Sequence, residues 1–210
     1  FFFTLEYCDG GTVEDLMKQK GGKLPIDEAI SIIMQVLDGL SYAHQAEIPY
    51  VQLVDGSFSQ GCGLVHRDLK PSNLFITHIN GDRTIKIADY GLAKAFDQAG
   101  LSGQTMSGTQ AGTPVFMPRQ QVINFKYARP EVDIWATAAC LYFMLTGAFP
   151  RNFRGDPFLA VLKTSAVPIQ QRDSAIPQQL AEVIDLALVD NPEIYFQDAA
   201  SFQQALLSVL

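Results

Sequence analysis

The residues best equipped for chemistry stand together near the middle of the chain: His66-Arg67-Asp68-Leu69-Lys70-Pro71-Ser72-Asn73, followed further on by Asp89-Tyr90-Gly91. The set brings two carboxylates, an amide and an ammonium group to one stretch. Phosphoryl transfer suits such a set, because it asks little covalent work of a protein. It needs a hydroxyl aligned with a phosphate, and phosphate charge neutralised by cations and metal. In that chemistry Asp68 is an acceptor for a hydroxyl proton and Lys70 a cation, while Asn73 and Asp89 are hard oxygen ligands suited to Mg²⁺. Cys8, Cys62 and Cys140 offer no rival centre. They are odd in number, lack the spacing of a zinc site, and read as small buried hydrophobes of a reducing, cytoplasmic compartment.

These groups need elements to hold them. Phe1 to Leu5 is a short β-favouring run stopped by Asp9-Gly10-Gly11, after which Thr12 is placed to cap a helix with Asp15 as its third residue. From Pro25, the residues Ile26, Ala29, Ile30, Ile33, Leu37 and Leu40 recur at helical spacing, with Asp27 and Glu28 at the positive end of the dipole. Residues 46–63 break that period with Pro49, Gly56, Gly61 and Gly63 and read as an inserted loop with an extended piece near Tyr50. Around Asn80-Gly81 two short apolar runs predict a hairpin. Gln98 to Gly112 has no period and predicts a loop. Pro130 to Thr146 is apolar nearly all round and stops at Gly147, the pattern of a helix buried on every side. Two further helices follow around Leu180–Leu188 and Phe202–Leu210. The fold class is therefore mainly α with short β-hairpins.

The ordered motifs resemble the eukaryotic-type protein serine/threonine kinase family over nearly the whole chain. They are Leu5-Glu6-Tyr7-Cys8, the catalytic string ending at Asn73, Asp89-Tyr90-Gly91, Gly112-Thr113-Pro114, Asp133-Ile134-Trp135-Ala136 and Asp190-Asn191-Pro192-Glu193. The resemblance implies a kinase large lobe over residues 12–210, with residues 1–11 the last small-lobe strand and hinge and 89–120 the activation segment. It further implies ATP and Mg²⁺ as cofactors, proteins bearing Ser or Thr as substrates, Asp68 as catalytic base and Lys70 near the γ-phosphate. Thr113 would bond the catalytic loop, and Asn73 and Asp89 would hold the metal. Leu5 would be the gatekeeper, Glu6 and Cys8 would bond adenine through their backbone, and Thr12 would lie near the ribose. His66 and Tyr90 are expected to pack, and Asp133 to clamp the catalytic-loop backbone. Arg67 and Lys94 are expected to meet a phosphate on the loop, with Thr109 its first candidate. His44 and His78 carry no evident role.

The sequence departs from the family where an ion pair is usual. Pro118-Arg119-Gln120 stands for the APE motif, and Tyr195 stands where an arginine is usual. Both charges are gone, so Gln120 and Tyr195 are expected to meet, with Arg119 pointing outward. No glycine-rich loop or VAIK-type lysine precedes the hinge, which implies a small lobe absent from these residues and supplied by a longer parent chain. The rival readings are a pseudokinase-like scaffold and a small-molecule phosphotransferase.

Bulk properties bound the rest. The 210 residues are 48% hydrophobic, enough for a real core, and the net charge of -7 argues against a nucleic-acid partner. Trp135 to Leu145, the longest apolar run, is too short to span a bilayer.

Overall fold

The computed structural model of the chain describes residues 5–52, 55–90 and 114–210. Among them stand seven α-helices and two two-stranded antiparallel sheets. Helix α1 (Val13–Gln19) begins as the sequence predicts: the Asp15 N–H donates to Thr12 Oγ1 at 3.1 Å and the Thr12 N–H donates to Asp15 Oδ2 at 3.2 Å, so two otherwise orphaned donors are satisfied reciprocally. Helix α2 (Ile26–Gln45) buries Ala29, Ile30, Ile33, Val36, Leu37 and Leu40 along one stripe. Each such large aliphatic side chain contributes roughly 1.5–3 kcal/mol when removed from water.

Strands β1 (Glu47–Gln52) and β2 (Phe58–Cys62) form a hairpin within residues 46–63, where the sequence reading expects a loop. Pro49 and the glycines read as breakers, yet a proline is compatible with an edge strand. Gly63 closes the hairpin at φ 81°, where an added Cβ would lie 2.7 Å from the His44 carbonyl oxygen. After a 3₁₀ turn (Pro71–Asn73), β3 (Leu74–Ile79) pairs with β4 (Asp82–Ile87) from Leu74↔Ile87 to Ile79↔Asp82. Asn80 at φ 54° and Gly81 at φ 90° make the turn, as the dipeptide predicts. The segment before α1 adds to the edge of β3: Gly10 N–H donates to Ile76 O at 2.9 Å and Ile76 N–H to Gly11 O at 2.8 Å. Gly10 permits this approach, since a Cβ there would meet Ile76 Cγ2 at 2.7 Å.

The remaining helices are α3 (Arg119–Ile123), α4 (Glu131–Thr146), α5 (Pro157–Lys163), α6 (Gln178–Ala187) and α7 (Ala199–Leu207). Helix α4 is the axis. Residues from Val132 to Tyr142 are all buried, and α2, α6 and α7 pack around it. Gly147 ends it at φ 68°, its N–H donating to Phe143 O at 2.8 Å. The buried Trp135 donates its indole N–H to Leu188 O at 3.0 Å. At the other edge, Glu28 joins α1 and α2 to β4 through Lys20 at 2.6 Å and Arg83 at 2.5 Å. No helix among the described residues is long and apolar enough to cross a membrane.

Candidate active site

The catalytic string runs between β2 and β3 and hangs from helix α4 by one carboxylate. Asp133, with no exposed surface, accepts from the His66 N–H at Oδ2 and the Arg67 N–H at Oδ1, each at 2.8 Å. A third donor comes from a residue for which the sequence offers no role: His44 Nε2 lies 2.8 Å from Asp133 Oδ2. Its signal is weak, a lone histidine in the last turn of α2 whose partner lies 89 residues away. Three donors satisfy the oxygens of a carboxylate whose burial would otherwise be costly.

Local hydrogen bonds then shape the loop. His66 accepts the Asp68 N–H at Nδ1 (3.2 Å) and donates from Nε2 to Ala88 O at 2.7 Å, which fixes its tautomer and ties the loop to the strand end before Asp89. Tyr90 packs edge-on against it, the ring centroids 4.8 Å apart. Burial, with a smaller contribution from Asp133, pushes the Tyr90 phenol up to about 12. Arg67 and Asp89 both stand in the left-handed region, at φ 68° and 65°. Non-glycine residues occupy it only where neighbours compel it, and such strain gathers at functional sites.

Asp68, Lys70 and Asn73 come together. Lys70 Nζ donates to Asp68 Oδ2 at 2.9 Å, and Asn73 Nδ2 donates to the Asp68 carbonyl at 2.8 Å. Asn73 is buried, and its own carbonyl accepts the Ala88 N–H at 3.0 Å, one residue before Asp89. The amide nitrogen is thus committed to Asp68, which turns the amide oxygen the other way. Asp89 lines a cleft of about 550 Å³ with Leu5, Glu6, Cys8, Phe75, Ile87 and Tyr90. Its apolar side suits a flat base and its acidic side a cation. Sequence reasoning did not single out Phe75, whose alternation on β3 marks a half-buried position without indicating what it faces. Thr12 reaches the same strand by a bridge to Phe75, and Lys86 pairs with Glu6 at 3.3 Å across the cleft edge. An amide oxygen and a carboxylate fit the oxygen preference of Mg²⁺. No cluster of three or more His, Cys, Asp or Glu suited to a metal occurs among the described residues.

Thr113, Lys94 and Thr109 lie outside the described residues, as does most of the segment 89–120. Arg67 Nη2 reaches Ala128 O at 3.5 Å, while its Nε is buried without a partner among the described residues. The cysteines differ from the expectation in part: Cys140 is buried, burial pushing its thiol well up, but Cys8 is half-buried and Cys62 is exposed. Those two lie at the cleft edge and on the hairpin, where backbone position rather than apolarity sets exposure.

The corner around Gln120 also differs. Gln120 Nε2 donates to Asp190 O at 2.8 Å and its Oε1 has no partner among the described residues. Of the two ways in which Gln120 and Tyr195 are expected to meet, a hydrogen bond or the ring covering the amide, the bond is therefore not made. Tyr195 is instead 54% exposed and lies edge-on to Phe196. Arg119 does not point outward. Its guanidinium donates to Leu162 O at 3.1 Å and Thr164 O at 3.0 Å and lies 3.4 Å from Asp190 Oδ1. The charges taken to be gone are supplied elsewhere: Arg151, 2% exposed, pairs with the buried Asp190. Arg151 also donates to Met117 O at 3.1 Å and Thr164 O at 3.0 Å, and lies over the Trp135 ring at 4.5 Å. Burial pulls its guanidinium below the ordinary value against the attraction of Asp190. Asp190 Oδ2 accepts the Arg119 N–H too, at 2.8 Å. Asp190 heads one of the motifs of the sequence reading, but neither it nor Arg151 is assigned a partner there.

Comparison with known proteins accords with this geometry. The family model of the protein kinase domain matches residues 1–193. Serine/threonine-protein kinase PknL of Mycobacterium tuberculosis is 31% identical over 202 residues, covering 94% of this chain and 44% of that protein. Serine/threonine-protein kinase PknB of Mycobacterium leprae is 30% identical over 212 residues, covering 99% of this chain and 30% of that protein. The chain spans less than half the length of these relatives. A crystal structure of the Rad53 kinase domain and SCD2 in complex with AMPPNP superposes with a TM-score of 0.65 at 21% identity, over 95% of this chain and 66% of that one, a likeness of fold.

Proposed function

Because the chain belongs to the eukaryotic-type serine/threonine protein kinase family, we propose that it supplies the catalytic loop, metal-binding groups and substrate platform for transfer of the γ-phosphoryl of ATP to Ser or Thr hydroxyls of proteins. The observation that carries the reading is the convergence of Asp68, Lys70 and Asn73 on a loop held from beneath by Asp133. AMPPNP bound to a kinase domain of the same fold supports ATP as donor.

In this reading Asp68 accepts the proton of the attacking hydroxyl. Lys70, 2.9 Å from it, keeps that carboxylate oriented and offers positive charge to the transferred group. Asn73 and Asp89 would hold Mg²⁺, which when bound neutralises phosphate charge. The Leu5–Cys8 backbone and Phe75 would receive the base in the cleft, and Thr12, bridged to Phe75, is assigned to its ribose side. Asp133 and His44 contribute by fixing the loop before substrate arrives, so alignment costs little at the moment of reaction. Arg67, Lys94 and Thr109 are assigned to control of the loop by phosphorylation, in the cytoplasmic setting that the sequence reading expects.

The test is transfer from labelled ATP to a protein substrate by the full parent chain with Mg²⁺. Asp68→Asn should lower kcat by about 10²–10⁴-fold with nucleotide affinity retained, and Asp89→Asn should abolish Mg²⁺-dependent nucleotide binding. Turnover at the wild-type rate in either variant overturns the assigned role. Full activity of Thr109→Ala removes the regulatory one.

A further inference from the structure

Gln121 is 1% exposed, a burial that an amide tolerates only when its polar atoms are bonded. From α3 its Nε2 donates to the carbonyl of Arg67 at 2.5 Å. That carbonyl belongs to the peptide joining Arg67 to Asp68, and the N–H of the same peptide donates to His66 Nδ1 at 3.2 Å. The peptide plane is therefore gripped at both poles. The residue just before it, Arg67, is held at φ 68°, a backbone state that relaxes when its neighbours let go. Helix α3 cannot drift, because its first turn is tied to one buried carboxylate: Asp190 accepts the Arg119 N–H at 2.8 Å, its backbone carbonyl accepts from Gln120 at 2.8 Å, and Arg151 bonds Met117 O at 3.1 Å.

We propose that Gln121 is a positioning residue for phosphoryl transfer: it sets the Arg67–Asp68 peptide plane, and hence the direction of the Asp68 carboxylate, from a helix whose place is fixed by the Arg151–Asp190 pair. The proposal rests on the kinase reading. The donor is what matters at this position. Leucine fills similar space but offers no N–H, and an ionised glutamate would set an acceptor against the Arg67 carbonyl.

The experiment uses the full parent chain with Gln121→Leu and Gln121→Glu, measured by steady-state kinetics and by hydrogen exchange of individual amides. For Gln121→Leu, kcat should fall about tenfold or more, with the KM for ATP within about twofold of wild type. The Asp68 amide should exchange faster while α2 amides are unchanged. For Gln121→Glu, the ratio of kcat to wild type should fall as pH rises, since the protonated carboxyl donates to Arg67 O and the ionised one cannot. Burial lifts that titration above the ordinary carboxylate range. Wild-type kcat in Gln121→Leu overturns the proposal, as does faster exchange spread equally over α2. Should the wild-type chain transfer no phosphate, the kinase reading falls. The Asp68 amide then decides the positioning claim on its own, and unchanged exchange refutes it.

Discussion

Replacing Asp190 by asparagine keeps the shape and one acceptor oxygen but removes the charge on which two arginines converge. The Arg151 side chain has no exposed surface and Arg119 only 14%, with the latter 3.4 Å from Asp190 Oδ1. A pair at such a distance interacts by about 4–5 kcal/mol at an effective dielectric near 20, and stranding one buried member costs about 3–5 kcal/mol net. Asp190→Asn should therefore lower stability by about 3–5 kcal/mol, or about 6–20 °C in the melting temperature of a domain this size. Arg151→Met should cost less, about 2–4 kcal/mol. It removes donors from Met117 O and Thr164 O and the contact with Trp135, but Asp190 keeps Arg119. The double variant no longer strands Arg151, the fully buried member, and leaves only the partly exposed Arg119 without its carboxylate, so its cost should fall short of the sum by about 2 kcal/mol. Urea unfolding of all four forms closes the cycle. Costs that add to within about 0.5 kcal/mol, or an Asp190→Asn cost under about 1 kcal/mol, would refute the reasoning.

Three further outcomes are expected. His44→Leu strips one of three donors from Asp133 and should cost about 1–3 kcal/mol by thermal unfolding; no change would mean the loop's carboxylate does not need it. For Glu28, burial pushes the carboxyl up, but the bonds from Lys20 and Arg83 win and hold it below its ordinary 4.5. A depressed carboxylate stabilises above its unfolded value and loses that contribution as pH falls through the folded one. Glu28→Gln should thus be less stable by about 1 kcal/mol at neutral pH and converge with wild type in acid, as equilibrium unfolding against pH would reveal. A constant gap across that range would contradict the assignment. Replacing residues 47–62 by a short turn should leave the rate of phosphoryl transfer unchanged, since loop length is thermodynamically inexpensive and none of the described residues among them lines the cleft; loss of activity in a folded variant would assign them a role.

Helices α2, α4, α6 and α7 were legible because each carries a strong period or, in α4, an unbroken apolar run with a glycine after it. The Asn80-Gly81 hairpin announced itself by its turn chemistry, and the α1 cap by Thr12 and Asp15. The catalytic string was legible as a string, since residues 66–73 are local in sequence and its chemistry lies in its side chains. What stayed hidden is non-local. His44 meets Asp133 across 89 residues, Gln121 meets Arg67 across 54, and Arg151 meets Asp190 across 39. Nothing in the local pattern of any of these residues specifies a partner. The expected Gln120–Tyr195 bond is not made for the same reason: the loss of two charges at aligned positions is visible in sequence, whereas their replacement by two others is visible only in space.

Helix α4 is enclosed on every side, and it gains stability only when α2, α6 and α7 have closed around it, so the order of assembly matters as much as the result. The carboxylate that shapes the catalytic loop sits in the first turn of that helix. A chain caught part-way through folding, with its local helices formed but the bundle still open, lacks the anchor and with it the left-handed turn at Arg67. The shape of the catalytic loop is therefore coupled, through Asp133, to closure of the bundle around α4.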